Sequence, residues 1–191
     1  MARTYLFDLD GTLIDTSIYA RCYERILSMI TRKRHLTMRE LAQKARRLGL
    51  VKNEEGRWDT GDLCQAFNLL EEYYKILKAE VKQHSFVQEQ VVKKMIESHS
   101  HGHRIGIVSN SMRKTIKLYL STYKLTKYVH VVFSREDAGC RKNSITFWKK
   151  LISKYNLNPK ECTIIGNNPV EDGTIPKKAG FHTILVNNRT T

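Results

Sequence analysis

Asp8-Leu9-Asp10-Gly11-Thr12 sets two carboxylates two residues apart, directly after the short apolar run Thr4-Tyr5-Leu6-Phe7. On an extended chain residues i and i+2 point the same way, so both carboxylates face one place. Two such groups repel unless a shared proton or a cation compensates. Mg²⁺, which takes oxygen ligands, is the natural cation. Gly11 allows a sharp turn, and Thr12 adds a hydroxyl. The same five residues would also serve in an ordinary Asp-rich strand-to-loop turn.

Three more segments carry suitable groups. Ser109-Asn110-Ser111 ends an apolar run and opens a helical pattern. A helix N-terminus with hydroxyls binds anions, and it also makes a plain N-cap. Lys142 precedes another helical pattern; taken alone it is one surface lysine among many. Gly166-Asn167-Asn168-Pro169-Val170-Glu171-Asp172 brings further oxygen donors after a third apolar run.

The elements that must position these groups follow from hydrophobic pattern. Apolar, β-branched runs at 4–7, 105–108, 129–133, 162–165 and 183–186 read as strands covered on both faces. Helical spacing marks 111–122 (Met112, Ile116, Tyr119, Leu120), the stretch with Phe147, Trp148, Leu151, Ile152 and Tyr155, and 170–179, with Gly180 as a stop. Strands alternating with helices predict a parallel sheet with helices on its faces. Asp, Asp, Ser, Lys, Asn and Asp then converge on the carboxyl edge of the sheet, where open α/β sheets bind ligands.

Residues 16–87 differ: they show helical periodicity and no good strand. Ile18, Tyr19, Cys22, Ile26, Leu27 and Ile30 mark a first helix. Met38, Leu41, Ala42 and Ala45 mark a second that closes near Gly49, and a polar loop spans 52–61. Phe67, Leu70, Tyr74, Ile76 and Leu77 mark a third. A helical insert between the first and second strands is therefore predicted.

Composition bounds the class. The chain has 191 residues and is 41% hydrophobic, enough for one domain, or one domain with a small insert, that buries a core without disulfides or structural metal. No apolar run approaches the roughly 20 residues that span a bilayer, and Met1-Ala2-Arg3-Thr4 passes straight into a strand, so neither a signal peptide nor a membrane partner is expected. Cys22, Cys64, Cys140 and Cys162 form no Cys-x-x-Cys pair. Reduced thiols in the cytoplasm are expected rather than a zinc site, with Cys162 in the core. Lys and Arg total 33 against 19 Asp and Glu, a net +14. A field of that size draws anionic partners, phosphorylated metabolites and nucleic acid among them; a solvated basic surface would look the same.

Together these segments resemble the haloacid dehalogenase-like (HAD) phosphohydrolases. Asp8-Leu9-Asp10-Gly11-Thr12 is similar to the family's first motif and Ile107-Val108-Ser109-Asn110 to its second. Lys142 fits the third, with Trp148 in the aromatic place six positions later. Asn158 to Gly166 leads into the fourth, and Pro176 to Gly180 resembles the stretch before the last core strand. The resemblance implies an α/β fold, a Rossmann-like parallel sheet with helices on both faces plus a small all-helical cap. Residues 1–15 and 88–191 would form the core and 16–87 the cap.

It also implies a Mg²⁺-dependent phosphatase acting on a small phosphomonoester through an aspartyl-phosphate. Asp8 would be the nucleophile and Asp10 the general acid and base. Thr12, Ser109, Asn110 and Lys142 would bind phosphate, and Asp8, Asp10, Asn167 and Asp172 would hold the metal. Asp10 favours phosphate esters over halides, because the family's dehalogenases lack that second aspartate. Asn167 stands where the family has Asp, which removes one negative charge from the metal position. A weakly active or inactive phosphate-binding protein, and a nucleic-acid-end phosphatase, are the alternatives.

Three features remain. His99, His101 and His103 would share one face of a strand, but Gly102 makes them the polar end of a helix. Arg32-Lys33-Arg34 with Arg39, Lys44, Arg46 and Arg47 is a basic stretch, read as a solvated face ahead of a polyanion surface, so nucleic acid is the less favoured partner. Trp58, Tyr73 and Tyr74 are expected in the insert's core.

Overall fold

The structure is a computed structural model that describes residues 2–186. Strand β1 (Thr4–Phe7) is followed by α1 (Ser17–Arg34), α2 (Met38–Arg47), α3 (Thr60–Ala66), α4 (Leu70–Gln83) and α5 (Glu89–Ser100). Then come β2 (Arg104–Ser109), α6 (Arg113–Thr122), β3 (Val131–Ser134), α7 (Arg135–Ala138), α8 (Ile145–Tyr155), β4 (Cys162–Gly166), α9 (Ile175–Lys178) and β5 (His182–Leu185). The chain divides into two compact units, one of residues 16–85 and one of the residues on either side. Residues 187–191, which the sequence places in the core, lie outside the described residues.

In the α/β unit the strands form one parallel sheet in the order β3-β2-β1-β4-β5. The sheet grows outward from β1 in both directions. With right-handed crossovers, that order puts the connecting helices of the two halves on opposite faces. Phe7, the last residue of β1, sits level with Ile107 of β2 and Ile165 of β4, so the three strands end within two residues of one another. Leu6, Phe133, Phe147, Trp148, Leu151, Ile164 and Phe181 fill one core, and Cys162 is buried among them. Phe133 meets Phe147, and Trp148 meets Phe181, edge to face at 5.0 and 5.6 Å, the arrangement aromatic rings prefer.

The helical unit is held by the stripes its sequence carries. Ile18, Cys22, Ile26, Leu27 and Ile30 of α1 are buried, as are Tyr73, Tyr74 and Leu77 of α4. Trp58 is buried too, with Lys52 Nζ 4.3 Å from its ring centre. Thr37 and Glu40 close a reciprocal capping box at the start of α2. That box takes up the single carboxylate of the basic stretch. Lys33 pairs with Glu72 at 3.3 Å, and Arg34 donates to the Phe67 and Asn68 carbonyls, while Arg32, Arg46 and Arg47 stay exposed.

Several boundaries differ from the pattern-based expectation, each for a local reason. The third helix expected from Phe67 begins only at Leu70, after Asn68 in a left-handed turn (φ 52°), and Phe67 closes a separate short helix, α3, that the pattern did not mark; Asp59 caps α3 by accepting from Asp62 N. The helix expected from 111 starts at Arg113, because Ser111 turns its N–H to Ser109 and its hydroxyl to Asp10. The helix expected over 170–179 is a π-helical turn, Pro169–Thr174, followed by the short α9. His99 lies in the last turn of α5 and His101 caps its end, while His103 Nδ1 accepts from Arg3 N. Among the described residues no helix is long and apolar enough to cross a membrane.

Gly106, in the middle of β2, is a glycine of necessity. A Cβ there would sit 2.6 Å from Leu6 Cδ2 and 3.0 Å from Val131 Cβ, both in the buried core. Gly106→Ala should therefore overpack the sheet and cost about 1–3 kcal/mol, read as a lower urea midpoint with an unchanged slope.

Candidate active site

Strand β1 delivers Asp8. Its N–H continues the ladder to Ile165 O at 2.8 Å, so the Asp8 backbone is fixed by the sheet and its side chain by the end of the strand. The chain then folds back sharply: the N–H groups of Leu13 and Ile14 both reach Leu9 O at 2.9 Å. Gly11 makes that turn at φ 80°, and a Cβ there would strike the carboxamide of Asn167. Gly11 is thus required by conformation and by the close approach of the loop after β4.

Asp8 and Lys142 are both buried, at 5% and 1% exposure. Lys142 Nζ lies 2.5 Å from Asp8 Oδ1 and 2.5 Å from Asp172 Oδ1. The second oxygen of Asp8 accepts from the Thr12 hydroxyl at 3.1 Å, and Asn167 Oδ1 lies 3.4 Å from the same hydroxyl. Asp172 Oδ2 accepts from Asn168 N at 3.0 Å. Gly166 leaves Asp172 its room, since a Cβ there would overlap the carboxylate. Asp10 accepts from Ser111 Oγ at 2.6 Å and, more weakly, from Ser109 Oγ at 3.5 Å. Ser109 Oγ in turn accepts from Ser111 N at 2.9 Å.

These contacts set the charges. Burial raises Asp8 most, Lys142 pulls it down, and Asp172 and Asp10 push it up again; the result is about 7. Burial works against the Lys142 ammonium, but Asp8 and Asp172 outweigh it and hold it above the ordinary lysine range. Lys142 therefore stays charged across neutral pH, while Asp8 titrates near neutrality until further positive charge arrives.

The structure brings Asp8, Asp10, Thr12, Ser109, Lys142, Asn167 and Asp172 to one end of the sheet: all but Lys142 stand at or beyond the ends of β1, β2 and β4, and Lys142 comes from the loop between α7 and α8. Asn110 is there as well, with both ends of its carboxamide engaged: Oδ1 accepts from Lys142 N and Nδ2 donates to Glu171 Oε2, each at 2.8 Å. Sequence reasoning missed the roles of Ser111, Glu171 and Trp148. Ser111 holds Asp10, Glu171 holds Asn110, and Trp148 Nε1 donates to Lys142 O at 2.9 Å. Ser111 was adjacent to a recognised pattern; the contacts of Glu171 and Trp148 link distant segments and left no local signal.

The chain is similar to known proteins in sequence and fold. The family model described as haloacid dehalogenase-like hydrolase matches residues 5–186. The chain is 26% identical over 180 residues to pyrophosphatase PpaX of Bacillus cereus (strain G9842), covering 86% of this chain and 74% of that one. It is 24% identical over 208 residues to a glyceraldehyde 3-phosphate phosphatase of Methanothermobacter thermautotrophicus, covering 100% and 88%. Among solved structures it is similar to a HAD phosphatase from Thermococcus onnurineus, with TM-score 0.77, 20% identity and coverage of 99% and 88%. It is also similar to CbbY from Rhodobacter sphaeroides in complex with phosphate, with TM-score 0.70, 15% identity and coverage of 100% and 90%. At those identities the structures speak for the fold.

The raised Asp8 makes stability depend on pH. Between its ordinary value of 3.8 and about 7 the folded protein keeps a proton that the unfolded chain has lost. The stabilisation this provides is full below the unfolded value and is lost as pH rises through about 7. In EDTA, wild type should therefore lose stability from pH 5 to pH 7 and Asp8→Asn should lose less of it, measured by urea unfolding at both; parallel pH profiles would refute it.

Proposed function

The chain belongs to the haloacid dehalogenase-like hydrolases, and from that premise we propose that it is a Mg²⁺-dependent phosphatase that cleaves a small phosphomonoester through an aspartyl-phosphate. The observation that carries this reading is the buried Asp8–Lys142 pair, 2.5 Å apart at the carboxyl end of β1, with Asp10 held beside it by Ser111. An ionised, positioned carboxylate is a competent nucleophile for phosphorus. Asp8 attacks, a P–O bond forms to its carboxylate, and the ester oxygen departs with a proton from Asp10. Asp10, now a base, takes a proton from water as that water attacks the acyl phosphate. Inorganic phosphate leaves, and both carboxyl groups return to their starting state. Ser109 and Thr12 offer hydroxyls to the phosphoryl oxygens, and Lys142 offers a charge.

The residues present fit a hard divalent cation. Asp8, Asp10 and Asp172 set three carboxyl groups against the single ammonium of Lys142, so that with all three ionised the cluster carries two net negatives. Asp172 Oδ1 has its ion pair with Lys142 but no hydrogen bond of its own, and Asn167 Oδ1 has only the long contact to Thr12. Asp8, the Asp10 carbonyl and Asn167 would hold the ion, with Asp172 close behind. Bound Mg²⁺ supplies the positive charge that lets an anionic nucleophile approach an anionic ester. Residues 1–15 and 88–191 would carry this chemistry, and the helical insert would select the substrate. Four unpaired thiols are in keeping with the cytoplasm. A phosphate-release assay over a broad panel of phosphorylated metabolites, with Mg²⁺ titrated, tests the reading. Binding of phosphate without turnover would favour the binding-protein alternative that Asn167 raises.

Asp10→Asn should slow an alkyl phosphate more than an activated aryl phosphate, by about tenfold or more, because a good leaving group needs less protonation. Equal losses on both would make Asp10 structural. Asn167→Asp restores a charged oxygen at the inferred metal position. A charged contact is worth roughly 1–3 kcal/mol, so half-maximal activity should come at about five- to 150-fold lower Mg²⁺. An unchanged Mg²⁺ dependence would remove Asn167 from the ligand set.

A further inference from the structure

Lys142 is held at three points along its length. Its N–H donates to Asn110 Oδ1 at 2.8 Å, its C=O accepts from Trp148 Nε1 at 2.9 Å, and its Nζ lies between Asp8 and Asp172. Behind Asn110 stands Glu171, whose Oε2 accepts from Asn110 Nδ2 at 2.8 Å. Glu171 and Asp172 are neighbours on the π-helical turn Pro169–Thr174. One turn therefore grips both ends of one lysine, Asp172 directly at the ammonium and Glu171 through Asn110 at the backbone.

We propose that Asn110 and Glu171 are a positioning pair for phosphoryl transfer, fixing where Lys142 stands and thereby how it holds Asp8 and the phosphoryl oxygens. The inference rests on the phosphatase reading above. Its physical basis is the polarity of the chain of contacts. A backbone N–H only donates and a carboxylate only accepts. Asn110 places an acceptor and a donor on one carbon, each facing its complement. Turning the carboxamide over would set donor against donor and acceptor against acceptor. Glu171 thus locks the orientation in which Asn110 can receive Lys142. Glu171 is itself anchored, since Asn168 Oδ1 accepts from the N–H groups of Val170 and Glu171 at 2.9 and 3.0 Å. With both ends of its carboxamide occupied, Asn110 serves phosphate through Lys142 rather than by its own side-chain amide.

Exchanging the polarity of the pair tests this. Asn110→Asp alone faces a carboxylate with a carboxylate. Glu171→Gln alone still offers an amide oxygen to Asn110. In the double variant the new amide N–H can donate to the new carboxylate, whose other oxygen accepts from Lys142 N. With an aryl phosphate and Mg²⁺, Asn110→Asp should lower kcat about 30-fold or more with KM changed less than about threefold. Glu171→Gln should cost about threefold or less, and the double variant should return to within about threefold of wild type. If Asn110 Nδ2 were a phosphate ligand, the double variant would stay as slow as Asn110→Asp with a raised KM, and the proposal would fall. If Glu171 touched substrate, Glu171→Gln would carry the full loss, and the proposal would fall equally. A urea-unfolding cycle on the same four proteins reads the coupling without turnover. Coupling there in a wild type that hydrolyses no phosphomonoester would sink the phosphatase reading and leave the pair intact. No coupling in either measurement would overturn the pair.

Discussion

Burying the Lys142 ammonium between two carboxylates is the constraint from which the rest of the site follows. Ions taken out of water cost several kcal/mol each unless partners replace the solvent closely. Asp8 and Asp172 do so on either side of Nζ at 2.5 Å. That geometry tolerates little drift, because losing one partner would leave a buried charge uncompensated. Every neighbouring feature serves to hold it: the β1 ladder fixes Asp8, the Asn168 N–H fixes Asp172, and Asn110 and Trp148 fix the backbone of Lys142.

The same constraint explains the glycines. Gly166 gives the Asp172 carboxylate the volume a side chain would fill, and Gly11 lets Asn167 come down onto the turn after β1. Both are places where two loops must approach more closely than a Cβ allows. The π-helical turn acts likewise. It adds a residue to the ring closed by each hydrogen bond, and Glu171 and Asp172, adjacent in sequence, then reach Asn110 and Lys142 in different directions.

Electrostatically the site is a local exception to the molecule. The chain carries a net +14, yet Asp8 and Asp172 flank one lysine at the end of the sheet, with Asp10 close enough to Asp8 to push on its charge. The positive surface favours the arrival of phosphorylated molecules. The negative cluster, in which Asp8 is held near neutrality by burial and its acidic neighbours, favours a divalent cation. Asn167 softens that negative cluster by one charge.

The sequence by itself determined the sheet and its site edge. The β-branched runs and the helices between them specify a parallel α/β fold, because alternation and apolar continuity are local properties of the chain. The places of Asp8, Asp10, Ser109, Lys142 and Asp172 were legible because each follows or precedes a recognisable element. Element ends were less so: the break at Asn68 and the start of α6 at Arg113 depend on caps and on Ser111 turning to Asp10. What only the tertiary structure decided is which polar atoms meet. The pairing of Lys142 with both Asp8 and Asp172, and of Asn110 with Glu171, joins residues 134 and 61 positions apart in two of these contacts. Such contacts exist because the loops after β1, β2 and β4 and the loop between α7 and α8 share one edge, and no spacing along the chain encodes the direction in which a carboxamide points.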